Sequence, residues 1–199
     1  MINSKIEILH TLPIIRCTSE AFSMHTLAAD YYCTDRVWQA QKKKLFPRSF
    51  QVLPPRLRTS SRWSPYTLLP RCLNAHLLFP PSSMTSTEPP FALSNVCTHR
   101  GAVLYDAPFE SSKTLRCPYH GRSFNTRGQC LAMPGFESVK NFPQTEDHLP
   151  RLPIHRWHFL DFIALTDPLW AFDDWVAPLE ERLRFLPLQD FVGWSLQIM

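Results

Sequence analysis

Two short segments of this 199-residue chain each join one cysteine to one histidine. Residues 97–99 read C-T-H and residues 117–120 read C-P-Y-H, with 17 residues between the two segments. Each segment thus offers a metal ion one soft thiolate and one imidazole. A chain that uses all four donors must fold so that two separate loops face each other across one metal centre.

The four candidate ligands are Cys97, His99, Cys117 and His120. A cluster of two irons and two sulfides takes this donor set when two histidines replace two cysteines on one of the irons. A Cys2His2 zinc site accepts the same residue types, but common zinc patterns pair like ligands, as in C-x2–4-C and H-x3–5-H. Because each pair here is mixed, the pattern favours the iron–sulfur cluster, and zinc remains the alternative.

Residues near the two pairs carry further predictions. Gly101 and Gly121 follow the pairs, and we expect them to turn the backbone tightly and to direct amide N–H groups at the sulfurs. His155, His158 and Asp161 offer two histidines and a carboxylate, but in a predicted strand positions 155 and 158 would point to opposite faces and share no metal ion. The other four cysteines are expected to be free thiols without a ligand role: Cys17, Cys33, Cys72 and Cys130.

The composition narrows the class of protein. A net charge of +4 with no basic stripe among aromatic residues disfavours a nucleic-acid partner. The sequence contains no run near the roughly 20 apolar residues that span a bilayer, and its N-terminus lacks the features of a secretory signal. We therefore expect a soluble, cytoplasmic protein without a membrane partner.

The hydrophobic pattern predicts a mainly β chain with helices near both ends. A helical pattern begins at Ser19, continues after Thr34 as a candidate N-cap, and ends before Pro47. Asp173 is predicted to cap a last helix that ends before Pro187. Short strands are predicted at 49–53, 66–69, 75–79, 91–96, 115–116 and 123–125, and a strand pair or one long strand at 152–165.

The residues around the ligand pairs resemble a known family. Segments 93–102 (LSNVCTHRGA) and 116–125 (RCPYHGRSFN) are similar to the Rieske domain of ring-hydroxylating oxygenase α subunits. The resemblance implies an antiparallel Rieske-type β-sheet domain with a cluster-binding subdomain, flanked by N- and C-terminal helices. It also implies three parts: an N-terminal arm (1–50), a Rieske domain (51–168) and a helical connector toward a catalytic domain (169–199).

The same resemblance implies electron transfer through one 2Fe–2S cluster held by the four candidate ligands. A ferredoxin or flavin reductase would supply the electrons, and a homo-oligomer is compatible with this family. Family members also hold a mononuclear Fe(II), but this chain has no Asp-x-x-His motif for it and ends at Met199. We therefore expect a truncated α subunit and leave open whether it is an enzyme. The alternatives are a free-standing Rieske ferredoxin-like carrier and, less favoured, a zinc-stabilised structural module.

Four positions distinguish this chain from respiratory Rieske proteins. Ala102 and Tyr119 occupy positions where the respiratory type has disulfide-forming cysteines, and Arg122 and Phe124 replace its hydroxyl side chains. Fewer hydrogen bonds to the sulfurs stabilise a reduced cluster less. The resemblance therefore predicts a potential near the low end of the Rieske range, roughly −150 mV.

Overall fold

The computed structural model describes residues 29–85, 88–110 and 113–188. The first part of the helical pattern predicted from Ser19 lies outside these residues, as does Cys17. Nine strands are present in the described part of the chain. They are β1 (Gln51–Leu53), β2 (Ser64–Leu68), β3 (Ala75–Phe79), β4 (Phe91–Ser94), β5 (Thr114–Arg116), β6 (Ser123–Asn125), β7 (Cys130–Ala132), β8 (Arg151–Trp157) and β9 (Leu160–Ile163).

The strands form two antiparallel sheets. The larger sheet has six strands in the order β1-β9-β8-β4-β3-β2, and the smaller has three in the order β5-β6-β7. β4 and β8 are neighbours, with Ala92 opposite Leu152. The chain leaves the large sheet after β4, builds the small sheet, and returns through β8. Residues 95–150, which contain the candidate ligands, are therefore inserted between two neighbouring strands, and the pairing of β4 with β8 holds the two ends of this segment together.

Alternate residues of β3 and β4 pack on opposite faces of the large sheet. Leu78 and Leu93 belong to a buried cluster that also contains Leu115 and Phe124 of the small sheet. Leu77 belongs to a second cluster on the other face. The period-2 alternation of a strand explains the division, and both faces of these strands are consequently buried.

Five helices flank the sheets in the described residues: α1 (Ala29–Cys33), α2 (Asp35–Lys44), α3 (Arg56–Thr59), α4 (Ser82–Thr85) and α5 (Phe172–Leu183), and two 3-10 turns lie at Phe46–Arg48 and Thr145–Asp147. Thr34 occupies the N-cap position of α2, but its hydroxyl donates to the carbonyl of Asp30 at 2.7 Å and caps nothing. None of these helices has the length and apolar character needed to cross a bilayer.

The mainly β fold with helices at both described ends is confirmed, although several local predictions were wrong. The N-cap of α5 is Ala171, and Asp173 lies inside the first turn, where a carboxylate still favours the positive end of the helix dipole. The helix also ends at Leu183, earlier than predicted. The short helices α3 and α4 lie in segments for which the sequence predicted neither a helix nor a strand. Strand β7 was missed because three residues give no readable alternation.

Segment 152–165 is a strand pair and not one long strand. β8 and β9 form a hairpin, with Trp157 opposite Leu160. His158 lies in the turn at φ 50°, so it is not a strand residue as predicted. The aromatic side chains of β9 and α5 pack together through Phe162 and Phe172, which places the last helix against one face of the large sheet.

Candidate metal centre

The two segments that carry the candidate ligands form loops with the same backbone hydrogen bonds. In the first ligand loop (97–102), the Cys97 amide donates to Ala102 O at 2.8 Å, and the Gly101 amide donates to Cys97 O at 3.0 Å. In the second ligand loop (117–122), the Cys117 amide donates to Arg122 O at 2.8 Å, and the Gly121 amide donates to Cys117 O at 3.1 Å. Each loop is therefore closed at its base: the second connects β5 to β6 of the small sheet, and the first lies between Val96 and Val103, which pair with each other.

Positive φ angles at the two loop glycines close these turns. Gly101 has φ +68° and Gly121 has φ +72°, a conformation that costs a side-chain-bearing residue about 1–2 kcal/mol. The expected tight turn is therefore present. The amide N–H group expected at a sulfur is not that of either glycine, because both glycine amides donate to cysteine carbonyl oxygens. The His99 amide donates to the Cys97 sulfur instead.

The loops bring the four candidate side chains together as two like pairs. Cys97 and Cys117 are each 2% exposed, and their thiols are hydrogen-bonded to each other. The rings of His99 and His120 lie outside the thiols, partly buried, with centroids 4.9 Å apart and planes at 73°. The soft donors thus lie inside and the imidazoles nearer the surface. Within the described residues, no three His, Cys, Asp or Glu side chains converge on a position for one metal ion.

One imidazole nitrogen lacks a partner. The Nδ1 atom of His120 is buried and makes no hydrogen bond, a state it shares in the described residues with the indole nitrogen of Trp63. A buried polar atom without a partner costs about 1–3 kcal/mol unless something binds it. A neutral imidazole nitrogen is a good ligand for iron. The orphaned atom and the two like pairs fit a cluster with two thiolates on one iron and two imidazoles on the other.

Burial shifts the pKa of two candidate ligands, Cys97 and His99. It raises the pKa of the Cys97 thiol, and the nearby Cys117 adds to this, whereas the His99 amide and the Arg122 guanidinium act in the opposite direction. Partial burial also lowers the pKa of His99, helped by His120, Arg122 and Arg100. His99 is therefore held in the neutral form, which carries the lone pair that a metal requires.

Arg122 joins the two ligand loops and was not assigned this role from the sequence. Only 3% of Arg122 is exposed. Its Nη1 donates to Thr98 Oγ1 in the first ligand loop at 3.0 Å and to Asp147 Oδ1 at 3.0 Å. Thr98 Oγ1 in turn donates to Asp147 O at 2.7 Å. We call Arg122, Thr98 and Asp147 the loop-bridging network. The sequence held one indication that Arg122 is buried. Arg122 lies two positions before Phe124, residues two apart in an extended segment point to the same side, and Phe124 is fully buried in the core.

A third segment covers the ligand loops from the side. This closing loop (133–149) contributes Asp147, and Phe142 packs against the Arg122 guanidinium with its ring centroid 5.4 Å from Cζ. Phe136 lies beside His99 at a centroid distance of 6.3 Å. On the other side, the exposed Tyr119 lies against His120 at 3.7 Å. Aromatic rings therefore flank both imidazoles.

The remaining candidate residues lie elsewhere and have other partners. His155 stacks on Phe172, His158 is hydrogen-bonded to Glu180, and Asp161 forms an ion pair with Arg156. These three side chains do not share a site. Cys130 is buried in the cluster of side chains between the two sheets, whereas Cys33 is exposed and Cys72 partly so.

The region that contains the four candidate ligands matches a known family. Residues 76–143 match the sequence profile of the family described as the Rieske [2Fe-2S] domain. The chain is 39% identical over 83 residues to the toluene-4-sulfonate monooxygenase system iron-sulfur subunit TsaM1 of Comamonas testosteroni. It is 30% identical over 82 residues to cytochrome b6-f complex iron-sulfur subunit 2 of Synechocystis sp.. These matches cover 42% and 41% of this chain, and 22% and 44% of the relatives.

The fold is similar to part of a solved oxygenase. The apo form of the quaternary ammonium Rieske monooxygenase CntA superposes with a TM-score of 0.64 at 18% identity. The superposition covers 80% of this chain and 45% of CntA. The chain thus spans less than half the length of each of these relatives. The likeness in fold extends beyond residues 76–143 to most of the described chain.

Proposed function

We propose, on the premise that residues 76–143 form a Rieske [2Fe-2S] domain, that this chain is an electron-transfer module. In this proposal Cys97 and Cys117 hold one iron of a 2Fe–2S cluster, and His99 and His120 hold the other. Such a cluster accepts and releases one electron at a time. The chain's own contribution is to bury the thiols, favour the neutral form of the His99 imidazole, and hold both loops in one geometry.

The arrangement of the donors in two like pairs carries this proposal. A single tetrahedral zinc ion requires its ligand atoms to meet at about 2.0–2.3 Å from one point. Here the two thiols adjoin each other, the two imidazoles adjoin each other, and a buried imidazole nitrogen lacks a partner. Two metal ions with unlike ligand sets account for this division better than one ion.

We further propose that the chain corresponds to the electron-transfer half of an oxygenase α subunit. The likeness in fold to CntA supports this, because it covers 80% of this chain and so extends well beyond residues 76–143. The division at 1–50, 51–168 and 169–199 belongs to the same proposal, and the pairing of β1 with β9 supports a domain that starts near Gln51. Electrons would come from a ferredoxin or flavin reductase and pass to a mononuclear iron outside this chain.

Reconstitution of the full 199-residue chain with ferrous iron and sulfide tests the ligand set. We expect about two irons and two labile sulfides per chain, and a rhombic EPR signal after reduction. Cys117→Ser should lose the signal, because it removes one thiolate. Cys72→Ser is the matched control and should keep it, since Cys72 lies outside the ligand loops. The midpoint potential on the same sample should lie low in the Rieske range, roughly −150 mV.

Two results would contradict the proposal. Binding of one zinc per chain with no labile sulfide would support the structural module. Equal loss of the EPR signal in Cys72→Ser and Cys117→Ser would refute the assigned ligands.

A further inference from the structure

Arg122 is the one charged residue that is fully buried in the described part of the chain. Its side chain is 4% exposed, and that of its partner Asp147 is 23% exposed. A buried charge is costly unless it is paired and hydrogen-bonded. Arg122 is both, through Thr98 and Asp147, and its Nε also approaches the Met133 sulfur at 3.5 Å.

These contacts connect three segments that meet at the candidate centre. Arg122 ends the second ligand loop, Thr98 lies between the two candidate ligands of the first, and Asp147 belongs to the closing loop. Asp147 is itself held, because its Oδ2 accepts from the Gln144 amide at 2.9 Å. The network therefore fixes the relative position of the two ligand loops.

The Arg122 charge also acts on the site itself. Arg122 lies two positions after His120, and its Nη1 is hydrogen-bonded to Thr98, which lies between Cys97 and His99. A charge that is 3% exposed is weakly screened by water and salt, so its potential extends to groups a few ångströms away. The Asp147 carboxylate carries the opposite charge and is more exposed, so its potential is better screened.

We propose that Arg122 and Asp147 form a charge pair that positions the two ligand loops and tunes the reduction potential of the centre between them. This inference rests on the proposed function. Reduction adds one electron, and hence one negative charge, from an external reductant, and no bond in the pair forms or breaks. A fixed positive charge stabilises that reduced state and a fixed negative charge destabilises it. Arg122 is a positioning residue in this account, because it acts through the loops and the field and does not bind the metal.

The sign of the potential shift separates this account from a purely structural one. Arg122→Met removes the positive charge and should shift the midpoint potential downward. Asp147→Asn removes the negative charge and should shift it upward, by less, since that charge is better screened. The double variant should return close to the wild-type potential. All three variants should lose the cluster to a chelator faster than the wild type, because each breaks the link between the loops.

Redox titration of the reconstituted full chain with dithionite, followed by EPR, measures these shifts. Arg122→Lys keeps the charge and should keep the potential while still losing the cluster faster. Thr98→Val removes one contact to Arg122 without changing any charge and should also leave the potential unchanged. Arg156→Met is the matched control: it removes one half of an ion pair on the β8–β9 hairpin and should change neither property.

Shifts of the same sign in Arg122→Met and Asp147→Asn, or no shift in either, would overturn the proposal. If Arg122→Met takes up no cluster, the midpoint potentials of Asp147→Asn and Thr98→Val are compared instead. Asp147→Asn removes a charge and should shift the potential upward, whereas Thr98→Val removes only a contact and should not shift it. Failure of the proposed function gives a different result from failure of this inference. In the first case the wild-type chain itself shows no EPR signal of a reduced cluster, whereas in the second the wild-type signal is present and only the shifts in the variants differ from those expected.

Discussion

Gly128 provides a sharp test of how closely the cluster-binding subdomain packs on the large sheet. It has φ +85°, and a Cβ atom built there would lie 2.9 Å from Leu93 Cδ2 and 3.2 Å from the Leu149 carbonyl oxygen. Leu93 is fully buried in β4. The Leu149 amide donates to Gly128 O at 2.8 Å, which holds the two backbone segments together. Gly128→Ala must therefore displace either a packed core side chain or a fixed backbone.

Gly135 supplies the matched control. It has φ +83°, and an added Cβ would meet nothing within 4 Å. Gly135→Ala should therefore cost only the backbone strain, about 1–2 kcal/mol. Gly128→Ala should cost the same strain plus an overpacking penalty of about 1–3 kcal/mol. The difference corresponds to roughly 2–12 °C in the unfolding midpoint for a chain of this size.

Urea denaturation monitored by circular dichroism gives both free energies of unfolding. The slope of free energy against urea should be equal in the two variants, which shows that the same surface unfolds. Leu93→Val in the Gly128→Ala background should recover part of the loss, since it removes the group that the new methyl would strike. Equal destabilisation by Gly128→Ala and Gly135→Ala would refute the packing argument and leave only strain.

The β8–β9 hairpin and α5 carry two predictions on pH dependence. Burial lowers the pKa of His155, and the nearby Asp173 carboxylate acts in the opposite direction. The unfolded chain therefore binds more protons at this residue than the folded chain, so the free energy of unfolding falls as the pH drops below about 6.5. His155→Phe should flatten the thermal midpoint between pH 6.5 and 5, and an unchanged slope would contradict this. Hydrogen bonds from Trp157 and His158 lower the pKa of Glu180, so its contribution is present near pH 7 and is lost as the pH falls below about 4.3. Glu180→Gln should lower the midpoint at neutral pH but leave it near wild type in acid; an equal loss at both pH values would count against the linkage.

The sequence alone was sufficient for the local features of the site. The two mixed pairs of cysteine and histidine marked the two loops that carry the candidate ligands. The glycine that follows each pair predicted a tight turn, and the positive φ observed there is one that glycine adopts at little cost. Strands β3 and β6 were predicted with the bounds observed, since apolar or alternating residues and flanking turn residues mark them clearly. These features depend on residues within a few positions of one another.

Features that depend on distant residues were decided by the tertiary structure. Two of these features connect different segments of the chain: β4 pairs with β8, and Asp147 forms an ion pair with Arg122. A third depends on the exact geometry of the ligand loops, in which the glycine amides donate to the cysteine carbonyl oxygens. A buried arginine looks like a surface residue in sequence, because its cost is offset by partners that the linear pattern does not mark. The ligand types thus came from the sequence, whereas their grouping into two like pairs and the charge beside them came from the fold.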